Sequence, residues 1–215
     1  MRQATASSRR RWLQATARWG GAGLLGAAPW PLAWAGAQKE EHLADSVRTA
    51  LSASVRMSSA PPVPFFDNRQ QEQDYLRWLG EMQRRLGNRM ENDFTRREFL
   101  QTVWYEAARA GLEVSLVLGL IQVESNFRKF AISPVGARGL MQVMPFWKNH
   151  IGRAEHNLFD IRTNLRYGCT ILRHYNNVER GNLTRALARF NGSLGSNKYP
   201  NAVIGAWRNR WQWAG

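Results

Sequence analysis

The chain has 215 residues, enough for one sizeable hydrophobic core and little more. Its formal net charge is +14, which favours an anionic partner. The single cysteine, Cys169, excludes an intrachain disulfide, and beyond the first 37 residues no apolar run is long enough to span a bilayer.

Residues 1–37 have the order of an export signal. Ser8-Arg9-Arg10-Arg11-Trp12-Leu13-Gln14 is a twin-arginine pattern, a weakly apolar stretch follows, and Ala33-Trp34-Ala35 or Ala35-Gly36-Ala37 could be the cleavage site. We therefore predict an exported, periplasmic or wall-associated protein, with no stable membrane span in the mature chain. The alternative is a disordered basic arm that binds nucleic acid.

The positive charge is unevenly distributed. Residues 38–124 hold eleven basic and thirteen acidic groups, whereas residues 125–215 hold fourteen basic and three acidic groups. The cationic surface therefore belongs to the second half of the chain, and it suits an anionic polymer. Nucleic acid would qualify on charge alone, but export argues against it.

Residues 38–93 read as a helical extension. A short helix is expected within 39–57, and a Pro-rich linker follows at 58–64. From Asp74 to Met90 apolar residues recur at helical spacing. This extension could recruit a partner or cover the core, and its composition does not choose between the two.

The next elements are also helical. Thr95-Arg96-Arg97-Glu98 fits a capping box for a helix that runs to Ala110 and stops at Gly111. The almost wholly apolar stretch from Val114 to Val123 predicts a buried helix. A loop is expected at 133–137, followed by a helix that resumes near Leu140 and stops before Pro145.

The last third completes an all-helical pattern. Residues 161–175 have one apolar helix face, Asn182 is a candidate cap for the helix that follows it, and residues 201–213 read as a helical tail. No alternating strand pattern of useful length is present. The predicted fold class is therefore mainly α, with little or no β-sheet.

Glu124 ends the buried helix on the same face as Val117, Leu120 and Ile121, at positions i, i+3, i+4 and i+7. Desolvation should raise the pKa of such a carboxyl, which keeps it protonated as a general acid requires. The alternative is an ordinary surface ion pair between Glu124 and Arg128.

No second acid follows Glu124 until Glu155. Glycosidases with two carboxylates need a second base or nucleophile, for which Glu155, Asp160, Glu179 and the acids upstream of Glu124 remain candidates through folding. A single carboxylate assisted by an N-acetyl group of the substrate is the simpler interpretation. No cofactor or metal is predicted, since the four histidines lack ligand spacing and no phosphate loop or dinucleotide fingerprint occurs.

An ordered set of motifs carries a resemblance to a known family. The set comprises Glu124-Ser125, Ser133-x-x-Gly136-Ala137-x-Gly139-Leu140-Met141-Gln142, Pro145, Asn164-Leu165-Arg166-Tyr167-Gly168, Ala188-Arg189-Phe190-Asn191-Gly192 and Tyr199-Pro200. It resembles the soluble lytic transglycosylases, which cleave the glycan strands of bacterial peptidoglycan. The resemblance implies a lysozyme-like catalytic domain at 94–215 and cleavage between N-acetylmuramic acid and N-acetylglucosamine to leave a 1,6-anhydro end.

The resemblance also implies roles for individual residues. Glu124 would be the acid and base, and the residues that contact or brace the substrate would be Ser125, Ser133, Gly139, Met141, Gln142, Phe190, Asn191 and Tyr199. Many family members have a tyrosine where this chain has Phe190, so Tyr199 or Tyr167 would have to supply the missing hydroxyl. Met141 and Phe190 could instead be core residues, and Asn191-Gly192 only a turn.

Two other functions fit the same sequence. One is a lysozyme-type hydrolase on the same fold, and the other is a non-catalytic, cationic module that binds the cell wall. The expected partner in each case is the glycan strand, not nucleic acid. The late tryptophans could stack on sugar rings, although core packing is the commoner role for Trp147, Trp207, Trp211 and Trp213.

Overall fold

The computed structural model describes residues 38–56, 64, 66–90 and 92–214. Within these residues the chain folds as α-helices, and its β-type pairing is limited to isolated bridges at Arg138. The helices are α1 (Asp45–Arg56), α2 (Arg69–Leu86), α3 (Asp93–Arg109), α4 (Val114–Ser125), α5 (Phe146–Ile151), α6 (Ile161–Val178), α7 (Leu183–Asn191) and α8 (Lys198–Ala206), with a π-helical turn at Trp207–Trp211. The predicted mainly α fold class is confirmed.

The predicted export signal at 1–37 and residues 58–63 of the predicted linker lie outside the described residues. Within the residues that are described, no helix combines the length and the apolar character needed to cross a membrane. Cys169 is buried in α6, where it fills core space as expected.

One hydrophobic core extends across the predicted boundary at 93/94. Buried side chains of α1 and α2 belong to the same cluster as those of α3, α4 and α6. Helix α4 lies in the middle of this arrangement, packed against α3, α8 and the π-helical turn. Its central position explains why its sequence is apolar on nearly every side.

Asparagine side chains begin several of the helices. Asn182 accepts a hydrogen bond from the backbone N–H of Arg185, so the predicted cap of α7 is confirmed. The predicted capping box at Thr95 is wrong. Asn92 caps α3 by accepting from the Thr95 N–H at 2.8 Å, which places Thr95 inside the first turn of the helix.

The predicted helix from near Leu140 to Pro145 is also wrong. Gly139 and Gln142 both have positive φ, at 76° and 47°, which a continuous right-handed helix does not allow. Residues 140–142 form turns instead, and α5 starts only after Pro145. Because its ring fixes φ and lacks an N–H, proline suits the start of a helix better than its end.

A buried ion-pair network joins α3 to α6. The Glu106 carboxylate is fully buried and accepts two hydrogen bonds from the Arg166 guanidinium, at 2.8 and 3.0 Å. Its other oxygen accepts from Arg109 Nε at 2.9 Å. This network fixes α6, which also carries Asn164, a side chain that binds the loop after α4.

Candidate active site

Glu124 lies at the C-terminal end of α4 and is 1% exposed. The left-handed conformation of Asn126, at φ 48°, ends the helix directly after Ser125. The carboxyl is thus presented from the end of a rigid, buried helix and not from a mobile surface. Arg128 is exposed, and its Nε donates to the Ser125 carbonyl at 3.0 Å.

Tyr199 supplies a hydroxyl to this carboxyl. Its O–H, on α8, donates to Glu124 Oε1 at 2.5 Å, and both side chains are buried. Burial, together with the adjacent Glu124 carboxyl, raises the pKa of Tyr199 well above its ordinary value. The hydroxyl therefore keeps its proton and acts as a fixed donor toward Glu124.

Tyr167, the other tyrosine expected to replace the missing hydroxyl, lies elsewhere. Its O–H is 2.7 Å from His156 Nδ1, and burial raises its pKa to about 12. Phe190 is fully buried in α7, and Asn191 is buried beside it. Of the two candidate hydroxyls, Tyr199 is thus the one placed on Glu124.

Polar side chains hold the loop that follows α4. Ser125 Oγ donates to the Leu140 carbonyl at 2.8 Å, which ties the end of the helix to the loop. Ser133 Oγ accepts from the Ala137 N–H at 3.1 Å. The buried amide of Gln142 donates to the carbonyls of Gly139 and Ala131, at 2.8 and 3.2 Å. These three predicted site residues lie in or beside the loop that follows α4. Their polar side-chain groups bond to the backbone of that loop.

Asn164, which the sequence analysis gave no role in the site, clamps this loop to α6. Its Oδ1 accepts from the Met141 N–H at 2.8 Å, and its Nδ2 donates to the Arg138 and Leu158 carbonyls, also at 2.8 Å. A Cβ at Gly139 would come within 2.5 Å of this amide, so only glycine allows the approach. The sequence does contain a sign of this role, since Asn164 is a polar residue on the otherwise apolar face of α6.

Met141 is fully buried and its side chain packs on Gly168 of α6. A Cβ at Gly168 would lie 2.3 Å from Met141 Sδ and 2.7 Å from Met141 Cβ. The contact therefore sets how closely the loop approaches α6. In this structure Met141 belongs to the core beneath the loop.

We predict that Gly168→Ala destabilises the protein by about 1–3 kcal/mol, because the new methyl group overlaps Met141. Gly80→Ala is a matched control, since Gly80 is also helical and a Cβ there meets no atom within 4 Å. That change should be neutral or stabilising by up to about 1 kcal/mol. Urea unfolding of the two variants checks the difference, and equal midpoints would contradict the packing argument.

For the glycan cleavage that the resemblance implies, we predict that Tyr199→Phe lowers the turnover number about ten-fold, with little change in KM, because Glu124 loses a buried hydrogen-bond donor. Tyr167→Phe removes a hydroxyl that contacts His156 instead, and it should stay within about two-fold of the parent. Steady-state kinetics with soluble glycan strands measures both. A larger effect at Tyr167 would refute the assignment.

Comparisons with known proteins match this part of the chain to a family. Residues 102–203 match the family model of the transglycosylase SLT domain. Two curated relatives, both described as membrane-bound lytic murein transglycosylase C, are from Yersinia pestis (strain Pestoides F) and Yersinia pseudotuberculosis serotype O:1b (strain IP 31758). Each is 33% identical, over 46% of this chain and 32% of the relative's own length. The predicted resemblance to lytic transglycosylases is confirmed, and the matched residues include Glu124, Asn164 and Tyr199.

Proposed function

We propose that this chain, whose residues 102–203 match the transglycosylase SLT domain, is a peptidoglycan lytic transglycosylase with Glu124 as its single acid and base. The observation that carries the proposal is the buried Glu124 carboxyl, fixed at the end of α4 and held by the Tyr199 hydroxyl at 2.5 Å. A proton donor shielded from water and locked in one orientation suits the protonation of a glycosidic oxygen.

The proposed reaction has two steps. Glu124 donates its proton to the oxygen that leaves with N-acetylglucosamine, while the N-acetyl group of N-acetylmuramic acid attacks its own anomeric carbon. The Glu124 carboxylate then removes the proton from the 6-hydroxyl of the same sugar, whose oxygen displaces the N-acetyl oxygen. The product is a 1,6-anhydro end, Glu124 is protonated again, and no water is consumed.

The other acids near the matched region have structural partners, which supports a mechanism with one carboxylate. Asp160 caps α6 by accepting from the Thr163 N–H at 2.8 Å. Glu179 pairs with two arginines of α7, Arg185 and Arg189. Glu155 is exposed and lies 3.4 Å from Arg153. None of the three is therefore available as a partner for Glu124 in this arrangement.

Charge supports the substrate and the location. Fourteen basic and three acidic groups follow Glu124 in the sequence, and peptidoglycan carries carboxylates on its peptide stems. A cationic surface around the site would attract such a polymer and hold it during cleavage. With the export signal predicted at 1–37, we place the protein in the cell envelope, exported by the twin-arginine route.

Digestion of purified peptidoglycan followed by mass spectrometry of the fragments tests the proposal. We expect fragments that end in anhydro-N-acetylmuramic acid, each lighter by one water than the hydrolysis product. Fragments with reducing ends only would identify a lysozyme-type hydrolase. Binding to peptidoglycan without any released fragment would identify a non-catalytic wall-binding module.

A further inference from the structure

The segment before α1 is irregular in structure but firmly docked. We call residues 38–44 the N-terminal strap. They form neither helix nor strand, yet Gln38 is 4% exposed and Leu43 is buried in the core. A polar side chain at the start of an irregular segment is usually solvated, so the burial of Gln38 calls for specific partners.

Gln38 makes three hydrogen bonds to the segment that runs from the Gln142 turn into α5. Its Oε1 accepts from Trp147 Nε1 at 2.9 Å and from the Met144 N–H at 3.3 Å. Its Nε2 donates to the Gln142 carbonyl at 3.5 Å. One side-chain amide thus uses both its donor and its acceptor, across more than 100 residues of sequence.

The carbonyl that Gln38 contacts belongs to a strained residue. Gln142 has φ 47°, a left-handed backbone conformation that residues other than glycine rarely adopt. Its own amide closes the loop onto Gly139 and Ala131. Such a conformation persists only when its surroundings hold it, and Gln38 is one of the groups that do so.

Two side-chain contacts attach the strap to α5 and α7. Glu40 Oε1 lies 2.5 Å from His150 Nε2 on α5. Glu41 Oε1 lies 2.9 Å from Arg189 Nη1 on α7, and Arg189 directly precedes Phe190 and Asn191 in sequence. The strap therefore connects α5, which follows the loop, with α7, which carries two further predicted site residues.

We propose that Gln38 is a positioning residue, which holds the Gln142 turn in the conformation needed for glycan cleavage at Glu124. This inference rests on the proposed function. Removing the Gln38 amide frees the strained turn at Gln142. Ser125, the residue after Glu124, bonds to the Leu140 carbonyl in the same turn, so movement of the turn displaces the surroundings of Glu124.

The test compares two substitutions at Gln38 with a control on the same strap. Gln38→Leu keeps the volume and removes all three hydrogen bonds. Gln38→Glu keeps the acceptor for Trp147 and Met144, but it replaces the donor to Gln142 with a carboxylate oxygen that faces the Gln142 carbonyl. Lys39→Ala is the control, because Lys39 is exposed. Each variant is measured for thermal unfolding, turnover number and KM on soluble glycan strands, and amide hydrogen exchange of residues 138–147.

For Gln38→Leu we expect turnover to fall about ten-fold with KM unchanged, and loop amides to exchange about ten-fold faster. The reporters are the Arg138 and Val143 N–H groups, which bond each other's carbonyls at 3.0 Å. Gln38→Glu should lose at least as much turnover as Gln38→Leu, because two acceptor oxygens then face each other at the Gln142 turn, and Lys39→Ala should match the parent. Unchanged exchange, or faster exchange with unchanged turnover of fully folded protein, would overturn the proposal. An inactive parent would instead refute the proposed function, and exchange alone would then decide whether Gln38 holds the turn.

Discussion

Glu124→Gln is expected to lower glycan cleavage by at least about a thousand-fold, because the amide can neither donate the proton to the leaving oxygen nor take one from the sugar hydroxyl. The substitution keeps the shape of the side chain, and an amide oxygen can still accept from the Tyr199 hydroxyl. Folding and binding to peptidoglycan should therefore stay close to those of the parent. Release of soluble fragments from purified peptidoglycan measures the loss.

Glu155→Gln is the matched control for this change. Glu155 is the next acid in the sequence, but it is exposed and pairs with Arg153. Its substitution should leave cleavage within about two-fold of the parent, since exposed ion pairs contribute little. Equal activity of the parent and Glu124→Gln would refute the catalytic role of Glu124, whereas equal loss in both variants would indicate a general effect of charge.

Glu106→Ala is expected to cost about 3–5 kcal/mol of unfolding free energy. The substitution leaves the Arg166 guanidinium, whose side chain is 4% exposed, without the carboxylate that neutralises it inside the protein. It also removes the partner of Arg109 on the same helix. Denaturant unfolding gives the change, and activity at low temperature should persist in the fraction that remains folded.

Asp74→Ala is the control for that prediction. Asp74 also pairs with an arginine three residues later on a helix, but both side chains of the pair with Arg77 are about half exposed. Solvent screens such a pair, so its loss should cost less than about 1 kcal/mol. Similar destabilisation by both variants would show that burial of the Glu106 network contributes no more than an ordinary surface pair.

Local patterns in the sequence were sufficient to predict α4 and the burial of Glu124. The run from Val114 to Val123 is apolar on nearly every side, and the periodicity places Glu124 on a core face whatever the rest of the fold does. The cap of α7 at Asn182 was predictable for the same reason, since a cap depends on residues three positions away.

The loop after α4 was beyond such patterns because distant residues shape it. The N–H of Met141 bonds to Asn164, 23 residues later, instead of to a helical carbonyl, and the Gln142 carbonyl bonds to Gln38 from the start of the described chain. A pattern of apolar residues near Leu140 therefore indicated a helix that the tertiary contacts do not allow. Tyr199 and not Tyr167 reaches Glu124 because α8 packs against α4, which is also a tertiary contact.

Digestion of peptidoglycan in water labelled with heavy oxygen tests the central claim most directly. If Glu124 directs the sugar's own 6-hydroxyl onto the anomeric carbon, the new muramic acid ends carry no label and are one water lighter than hydrolysis products. Incorporation of one labelled oxygen at each new end would show that water attacks instead, and it would contradict the account.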